Sequence, residues 1–155
     1  MTKAATRILA LDPGTKRIGV ALSDELGWTA QPLETFERKF LAADVAHIKE
    51  LVHRHEVREI VIGMPVQLSG RMGPAAQSVQ QFLEAVQAGV GVPVVPWDER
   101  LTTKAAEQML IEADVSRKKR KGVVDRVAAA LLLKSYLEHL ASLQPAADGP
   151  TPDDA

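Results

Sequence analysis

The chain has 155 residues, a formal net charge of −1 and a hydrophobic fraction of 46%. That size and apolar content are typical of one globular domain with a substantial core. The absence of cysteine excludes disulfides, thiolate metal sites and cysteine nucleophiles, so any metal must be held by oxygen or imidazole ligands. No apolar stretch has the length of a membrane span and the amino terminus lacks a signal-peptide pattern, so we expect a cytosolic protein that does not contact a membrane.

The charges are unevenly distributed along the chain. Residues 143–155 are rich in proline and aspartate and contain three acids and no base, so the total of −1 leaves a net charge of +2 on the residues before them. A segment of this composition cannot form a packed core. We therefore expect one folded domain over residues 1–142, followed by a disordered acidic tail.

Strand signals dominate the first part of the chain. Short apolar runs predict strands at residues 7–11 and 18–22, joined as a hairpin by the turn at residues 13–16. A weaker third strand is predicted at residues 32–38. Apolar residues at helical spacing then predict an amphipathic helix over residues 42–55.

Helices and strands alternate in the rest of the chain. The pattern predicts, in order, a strand at 58–63, a helix at 75–88, a strand at 92–96, and helices at 102–113 and 123–143. Strands linked by crossover helices are usually parallel, whereas a hairpin is antiparallel. We therefore predict an α/β fold with a mixed five-stranded sheet flanked by helices.

Acidic residues stand at the ends of two of these predicted strands. Asp12 ends the first strand, and Asp98 and Glu99 follow the last one in the segment WDER. Ligands in open α/β sheets bind at the carboxyl edge of the parallel strands, so these acids should be neighbours in space. A carboxylate buried there is costly unless it is paired, hydrogen-bonded or bound to a metal.

Asp125 is a third candidate acid, near the start of the last predicted helix. It lies on the same helical face as the apolar residues Ala128, Ala129 and Leu132, so it should face inward. An alternative is that an aspartate near a helix amino terminus simply stabilises the helix through capping and its dipole.

Together these acids suit metal-dependent phosphodiester hydrolysis. We predict that Asp12 bridges one or two Mg²⁺ or Mn²⁺ ions, because these metals prefer hard oxygen ligands. Asp125 and Glu99, with Asp98 as the substitute for Glu99, would complete both the metal site and the catalytic set. Such a site lowers the pKa of an attacking water and neutralises charge on the leaving oxygen.

Basic residues suggest how a nucleic acid would bind. Five of them form an unbroken run, predicted as a loop before the last helix: Arg117, Lys118, Lys119, Arg120 and Lys121. A solvated surface loop is the alternative, but we predict contacts with nucleic-acid phosphates. Lys16 and Arg17 in the first hairpin extend this surface, and Arg100 either binds the scissile phosphate or pairs with a neighbouring acid. Trp28 and Trp97 could stack on bases, although we expect both to fill the core.

Four segments of the chain resemble one family. They are LDPGTKRIGVALSD, IVIGMPVQLSGRMGPAA, WDERLTT and KKRKGVVDRVAAALLL, and together they are similar to the YqgF family, also called RuvX, over residues 6–142. The resemblance implies a ribonuclease H-like fold and a Holliday junction resolvase or pre-16S ribosomal RNA nuclease. It also implies that Asp12, Glu99 and Asp125 match the family's catalytic acids.

The chain departs from related patterns at two places. Gly63 and Met64 stand where the more distant RuvC-type resolvases, similar in fold, have a glutamate, so the third acid must come from WDER. Gln67 and Ser69 stand where relatives commonly have asparagine and aspartate. These differences bear on metal spacing and on substrate contacts rather than on the fold.

We predict a nuclease for structured RNA or branched DNA. The family resemblance, and not any residue of the chain, puts processing of the 5′ end of pre-16S ribosomal RNA ahead of junction resolution. A non-catalytic ribosome-assembly or nucleic-acid-binding factor is the other alternative. The segment LDPGT also resembles the phosphate-binding turn of actin-like and sugar-kinase ATPases, but those enzymes close two domains around ATP. A resolvase that cuts two strands symmetrically would be a twofold homodimer, whereas end processing can be done by a monomer.

Overall fold

The computed structural model describes residues 6–14, 16–64, 74–98 and 117–143. The strands are β1 (Arg7–Pro13), β2 (Arg17–Ser23), β3 (Ala30–Glu37), β4 (Val57–Met64) and β5 (Val94–Asp98). The helices of the described residues are α1 (Leu41–Arg54), α2 (Pro74–Gly89) and α3 (Arg117–Leu143). None of these helices is long and apolar enough to cross a bilayer.

The strands form one five-stranded sheet in the order β3-β2-β1-β4-β5. β1 pairs antiparallel with β2 and β2 with β3, whereas β1 pairs parallel with β4 and β4 with β5. The predicted mixed sheet is thus confirmed, with strand ends within about two residues of their predicted positions. The carboxyl ends of β1, β4 and β5 meet at one edge of the sheet, as the crossover helices require.

Both faces of the sheet are covered by helices, which explains why the central strands are continuously apolar. One face packs against α1 and α2; its buried residues include Leu9, Leu11, Ile60, Ile62, Ile48, Leu51 and Phe82. The other face packs against α3; its buried residues include Ile8, Ala10, Ala21, Val61, Ala129, Leu132 and Leu133. Since successive residues of a regular strand point to opposite faces, membership of these two clusters gives the direction of neighbouring side chains in the regular parts of β1 and β5.

α3 begins earlier than predicted. It starts at Arg117, so the basic run is the first part of a helix and not a loop before one. Lysine and arginine are good helix formers, and packing of the downstream apolar face on the sheet outweighs the roughly 1 kcal/mol that an interior glycine such as Gly122 costs a helix. The predicted helix at 102–113 and the tail beyond residue 143 lie outside the described residues.

The two tryptophans differ from each other. Trp97 packs edge-on against Tyr136, with the ring centroids 5.2 Å apart, in agreement with a core role. Trp28 lies near the tip of the β2–β3 hairpin and is 80% exposed, so the prediction that it fills the core is wrong. Trp28 belongs to a turn that is closed locally, because the Asp24 carboxylate accepts hydrogen bonds from the backbone N–H groups of Trp28 and Thr29.

Candidate active site

Asp12 lies at the carboxyl end of β1, on the face covered by α3. Its direction follows from alternation, because Ile8 and Ala10 both pack in the α3 cluster and Asp12 continues the same series. Its side chain is half-buried. Across the antiparallel ladder Asp12 is paired with Gly19 of β2, so both residues point toward the same helix.

Gly19 allows α3 to approach the sheet beside Asp12. A Cβ atom on Gly19 would lie 1.8 Å from the backbone oxygen of Asp125 and 2.2 Å from its carbonyl carbon, far inside any contact distance. The helix backbone at Asp125 therefore rests directly on the strand partner of Asp12. This brings the predicted acids Asp12 and Asp125 to one edge of the sheet. Sequence reasoning did not single out Gly19, although an interior glycine in an apolar strand is a signal of close backbone approach.

Arg17 forms an ion pair with Asp125. Its Nε donates to Oδ2 of Asp125 at 3.0 Å, and both side chains are partly buried. Burial raises the pKa of Asp125, and the hydrogen bond and positive charge of Arg17 oppose that rise. The arginine predicted to bind nucleic acid is thus engaged with a candidate catalytic carboxylate.

Asp98 ends β5 on the other face of the sheet. Val95 and Trp97 pack in the α3 cluster, whereas Val94 packs in the α1 and α2 cluster, so alternation directs Asp98 away from Asp12. β4 also separates β5 from β1. The neighbouring candidates Glu99 and Arg100 lie outside the described residues, as do Gln67 and Ser69.

The β1–β2 turn presents Lys16 next to this edge. The Gly14 N–H donates to the Arg17 carbonyl at 2.8 Å and closes the turn. A Cβ on Gly14 would lie 2.9 Å from the Arg17 oxygen, so the turn is too tight for a larger residue without a shift. Lys16 is exposed, and the prediction that it contacts a phosphate stays a prediction.

The basic run extends α3 past the same edge. Two contacts give the direction of α3. In its second half, Tyr136 donates a hydrogen bond to Glu59 near the start of β4. Nearer its start, the backbone of Asp125 contacts Gly19, opposite the carboxyl end of β1. α3 therefore runs from the carboxyl edge of the sheet toward the amino edge. Because a helix rises 1.5 Å per residue, its start at Arg117 lies about 12 Å before Asp125 along the axis.

The donor chemistry of the site suits a hard divalent cation. Asp12 of β1 and Asp125 of α3 would supply carboxylate oxygens, and a half-buried carboxylate gains from a cation partner. Within the described ranges no group of three or more His or acidic side chains is placed to hold a metal ion. The predicted third ligand, Glu99, directly follows β5 and lies outside the described residues.

Comparison with known proteins assigns the family. The family model described as "RuvX: Holliday junction resolvase" matches residues 6–139. The chain is a member of the RuvX family. This confirms the resemblance and places the RuvX chain in a family of enzymes that cleave phosphodiester bonds.

Curated relatives of this RuvX protein match it over nearly their whole length. One from Moorella thermoacetica is 55% identical over 134 residues, covering 86% of this chain and 96% of the relative. One from Listeria monocytogenes is 52% identical over 136 residues, covering 85% and 97%. Both are named as candidate pre-16S rRNA nucleases.

Solved structures confirm the ribonuclease H-like fold of the RuvX chain. Thermus thermophilus RuvC in complex with a Holliday junction substrate matches with a TM-score of 0.57 at 19% identity, covering 88% of this chain and 97% of that one. The fowlpox virus Holliday junction resolvase matches with a TM-score of 0.52 at 14% identity, covering 86% and 99%. At these identities the likeness concerns the fold.

Proposed function

We propose that this protein is a metal-dependent nuclease that hydrolyses phosphodiester bonds in structured RNA, with the 5′ end of pre-16S ribosomal RNA as its substrate. The main support is the contact between the backbone of Asp125 and Gly19, the strand partner of Asp12, because ligands of open α/β sheets bind at the carboxyl edge where these residues lie. The names of the relatives that are about half identical to this chain support the RNA substrate. We place the enzyme in the cytosol.

In this proposal Asp12, Asp125 and Glu99 hold one or two Mg²⁺ or Mn²⁺ ions. A metal bound there would lower the pKa of the attacking water and stabilise the leaving oxygen. Glu99 is preferred to Asp98 because Asp98 belongs to the face covered by α1 and α2. Arg17 would orient the Asp125 carboxylate through Oδ2 and partly neutralise it, and Oδ1 is the oxygen proposed to bind the metal.

The basic residues are proposed to bind substrate phosphates around this site. Lys16 would contact the strand being cut, because its turn directly follows Asp12 in the chain. The basic start of α3, at residues 117–121, would meet a second backbone segment of a structured RNA, because the helix extends beyond the sheet edge. Arg100 would bind the scissile phosphate. Each phosphate that is neutralised makes the slope of log affinity against log salt concentration more negative by about 0.7 to 0.9.

Resolution of Holliday junctions in branched DNA is a second candidate function. The description of the matching family model and the RuvC-type fold favour it. A resolvase would have to act as a twofold dimer to cut both strands symmetrically. A factor that binds RNA during ribosome assembly without cutting it is the remaining alternative.

Cleavage assays separate these functions. Matched substrates would be a pre-16S RNA fragment spanning the mature 5′ end, duplex DNA and a four-way DNA junction, each with Mg²⁺, Mn²⁺ or EDTA. We expect metal-dependent cutting of the RNA, and a loss of at least about 100-fold in Asp12→Asn and in Asp125→Asn. Asp24→Asn, which changes a carboxylate at the opposite end of β2, is the matched control and should keep wild-type cutting.

Each substrate gives a distinct result. Faster cutting of the junction than of RNA, by a dimer, would replace the first proposal with the second. Tight binding of RNA without cutting would favour the assembly factor. Cutting that survives both active-site substitutions would contradict the metal site.

A further inference from the structure

Arg38, which directly follows β3 in the chain, holds the β1–β2 turn at two points. Its Nη1 donates to the carbonyl of Gly14 at 2.9 Å, and its backbone N–H donates to the carbonyl of Lys16, also at 2.9 Å. These two carbonyls lie on either side of residue 15. The turn that follows Asp12 is therefore tied to β3 by one residue, through both its side chain and its main chain.

The guanidinium of Arg38 is itself fixed by the helical layer. Its Cζ lies 5.3 Å from the ring centroid of Phe82, a fully buried residue of α2. Its Nε lies 4.0 Å from Oδ2 of Asp44 in the first turn of α1, and the Asp44 side chain is only 4% exposed. The other Asp44 oxygen accepts the backbone N–H of Lys39 at 3.0 Å, which keeps the carboxylate in place.

These contacts need an arginine. The planar guanidinium can stack on the Phe82 ring and, within its own plane, donate to the Gly14 carbonyl through one nitrogen and face Asp44 with another. A lysine ammonium is a point charge without this fork and would keep the attraction to Asp44 but lose the stacked geometry. Only 17% of the Arg38 side chain is exposed, so solvent screens these contacts weakly.

We propose that Arg38 is a positioning residue for substrate binding. It acts through the turn: by fixing Gly14 and the Lys16 carbonyl, it presents the exposed Lys16 side chain to a substrate phosphate beside Asp12. The inference rests on the proposed nuclease function and deepens it. Asp12 is held by its own pairing with Gly19, so loss of Arg38 should weaken substrate binding more than the chemical step.

A double-mutant cycle between Arg38 and Lys16 tests this coupling. Arg38→Gln, Lys16→Ala and the double variant would be assayed for KM and kcat on the pre-16S RNA fragment. Binding would be measured separately by fluorescence anisotropy in Asp12→Asn protein, which keeps the RNA intact. We expect Arg38→Gln to raise KM and Kd about tenfold with kcat changed less than about threefold. In Arg38→Gln, as in Lys16→Ala, the plot of log affinity against log salt concentration should become less steep by about 0.7 to 0.9.

The double variant decides whether Arg38 acts through Lys16. If it does, the double variant binds no more weakly than Lys16→Ala alone, and Arg38→Lys recovers part of the affinity. Additive effects, or an unchanged KM in Arg38→Gln, would overturn the proposal. Ile48→Val, a core change in α1, is the control for lost stability and should lower the melting temperature without changing KM.

Failure of this inference can be told apart from failure of the proposed function. Wild-type protein that binds and cuts RNA while the two substitutions remain additive would overturn the role of Arg38 alone. If wild-type protein binds RNA without cutting it, the double-mutant cycle between Arg38 and Lys16 can still be measured from the Kd values of the four proteins. Protein that binds none of the tested nucleic acids would overturn both.

Discussion

Replacing Gly19 with alanine tests whether the close packing of α3 on β2 is needed to assemble the site. The new Cβ would lie 1.8 Å from the backbone oxygen of Asp125, whereas carbon and oxygen atoms in close contact are about 3.3 Å apart. The helix must therefore retreat by about 1.5 Å at Asp125. Overpacking of this kind costs about 1 to 3 kcal/mol of folding stability.

The effect on catalysis should be larger than the effect on stability. A displacement of about 1 Å in a catalytic group can reduce the rate about 100-fold, and the retreat would move Asp125 away from both Asp12 and Arg17. We expect kcat for metal-dependent cleavage to fall about 100-fold in Gly19→Ala, measured well below its melting temperature. Urea denaturation of the same protein would give the loss of stability.

Gly27→Ala is the matched control for Gly19→Ala. Gly27 has φ +74°, and no atom of the described residues lies within 4 Å of the position that a Cβ would take there, so alanine meets backbone strain and no steric clash with them. The strain costs about 1 to 2 kcal/mol at the hairpin tip, far from Asp125. This variant should lose stability and keep its kcat. Cleavage by Gly19→Ala within about threefold of wild type would refute the argument that this contact places Asp125.

Three further predictions concern other carboxylates and their partners. Glu99→Gln should lower cleavage at least about 100-fold while Asp98→Asn keeps most of it; the reverse result would make Asp98 the ligand. Hydrogen bonds from the Thr29 and Trp28 N–H groups lower the pKa of Asp24 despite some desolvation. Near pH 3.8 the unfolded protein therefore binds more protons at Asp24 than the folded protein does. The free energy of unfolding of wild type should therefore exceed that of Asp24→Asn by its full amount above pH 3.8, and the difference should disappear as the pH falls through the lowered pKa of Asp24 in the folded protein. Urea denaturation at a series of pH values measures this difference. An advantage that persists at the lowest pH would exclude these bonds as its source. Tyr136→Phe removes the hydrogen bond to Glu59 and should cost about 1 to 2 kcal/mol of stability in the same assay, with cleavage unchanged because the bond lies at the amino edge of the sheet.

The sequence by itself determined where the strands lie along the chain and which of them are parallel. Apolar runs bounded by turn residues and amphipathic periodicity are local patterns, so the strands and α1 and α2 were predicted to within about two residues of their ends. The crossover rule then placed the ends of β1, β4 and β5 at one edge, and with them Asp12. Inward orientation of Asp125 also followed from local helical periodicity.

The tertiary structure alone decided how the site is assembled. Arg17 and Asp125 are 108 residues apart and form an ion pair, and the Gly19 contact links equally remote segments. Local patterns do not encode such pairs, because their partners are chosen when β2 and α3 pack together. The same applies to the exposure of Trp28 and to the clamp of Arg38 on the β1–β2 turn. Periodicity shows which face of an element is apolar, but only the packing of remote elements determines which polar groups meet at their ends.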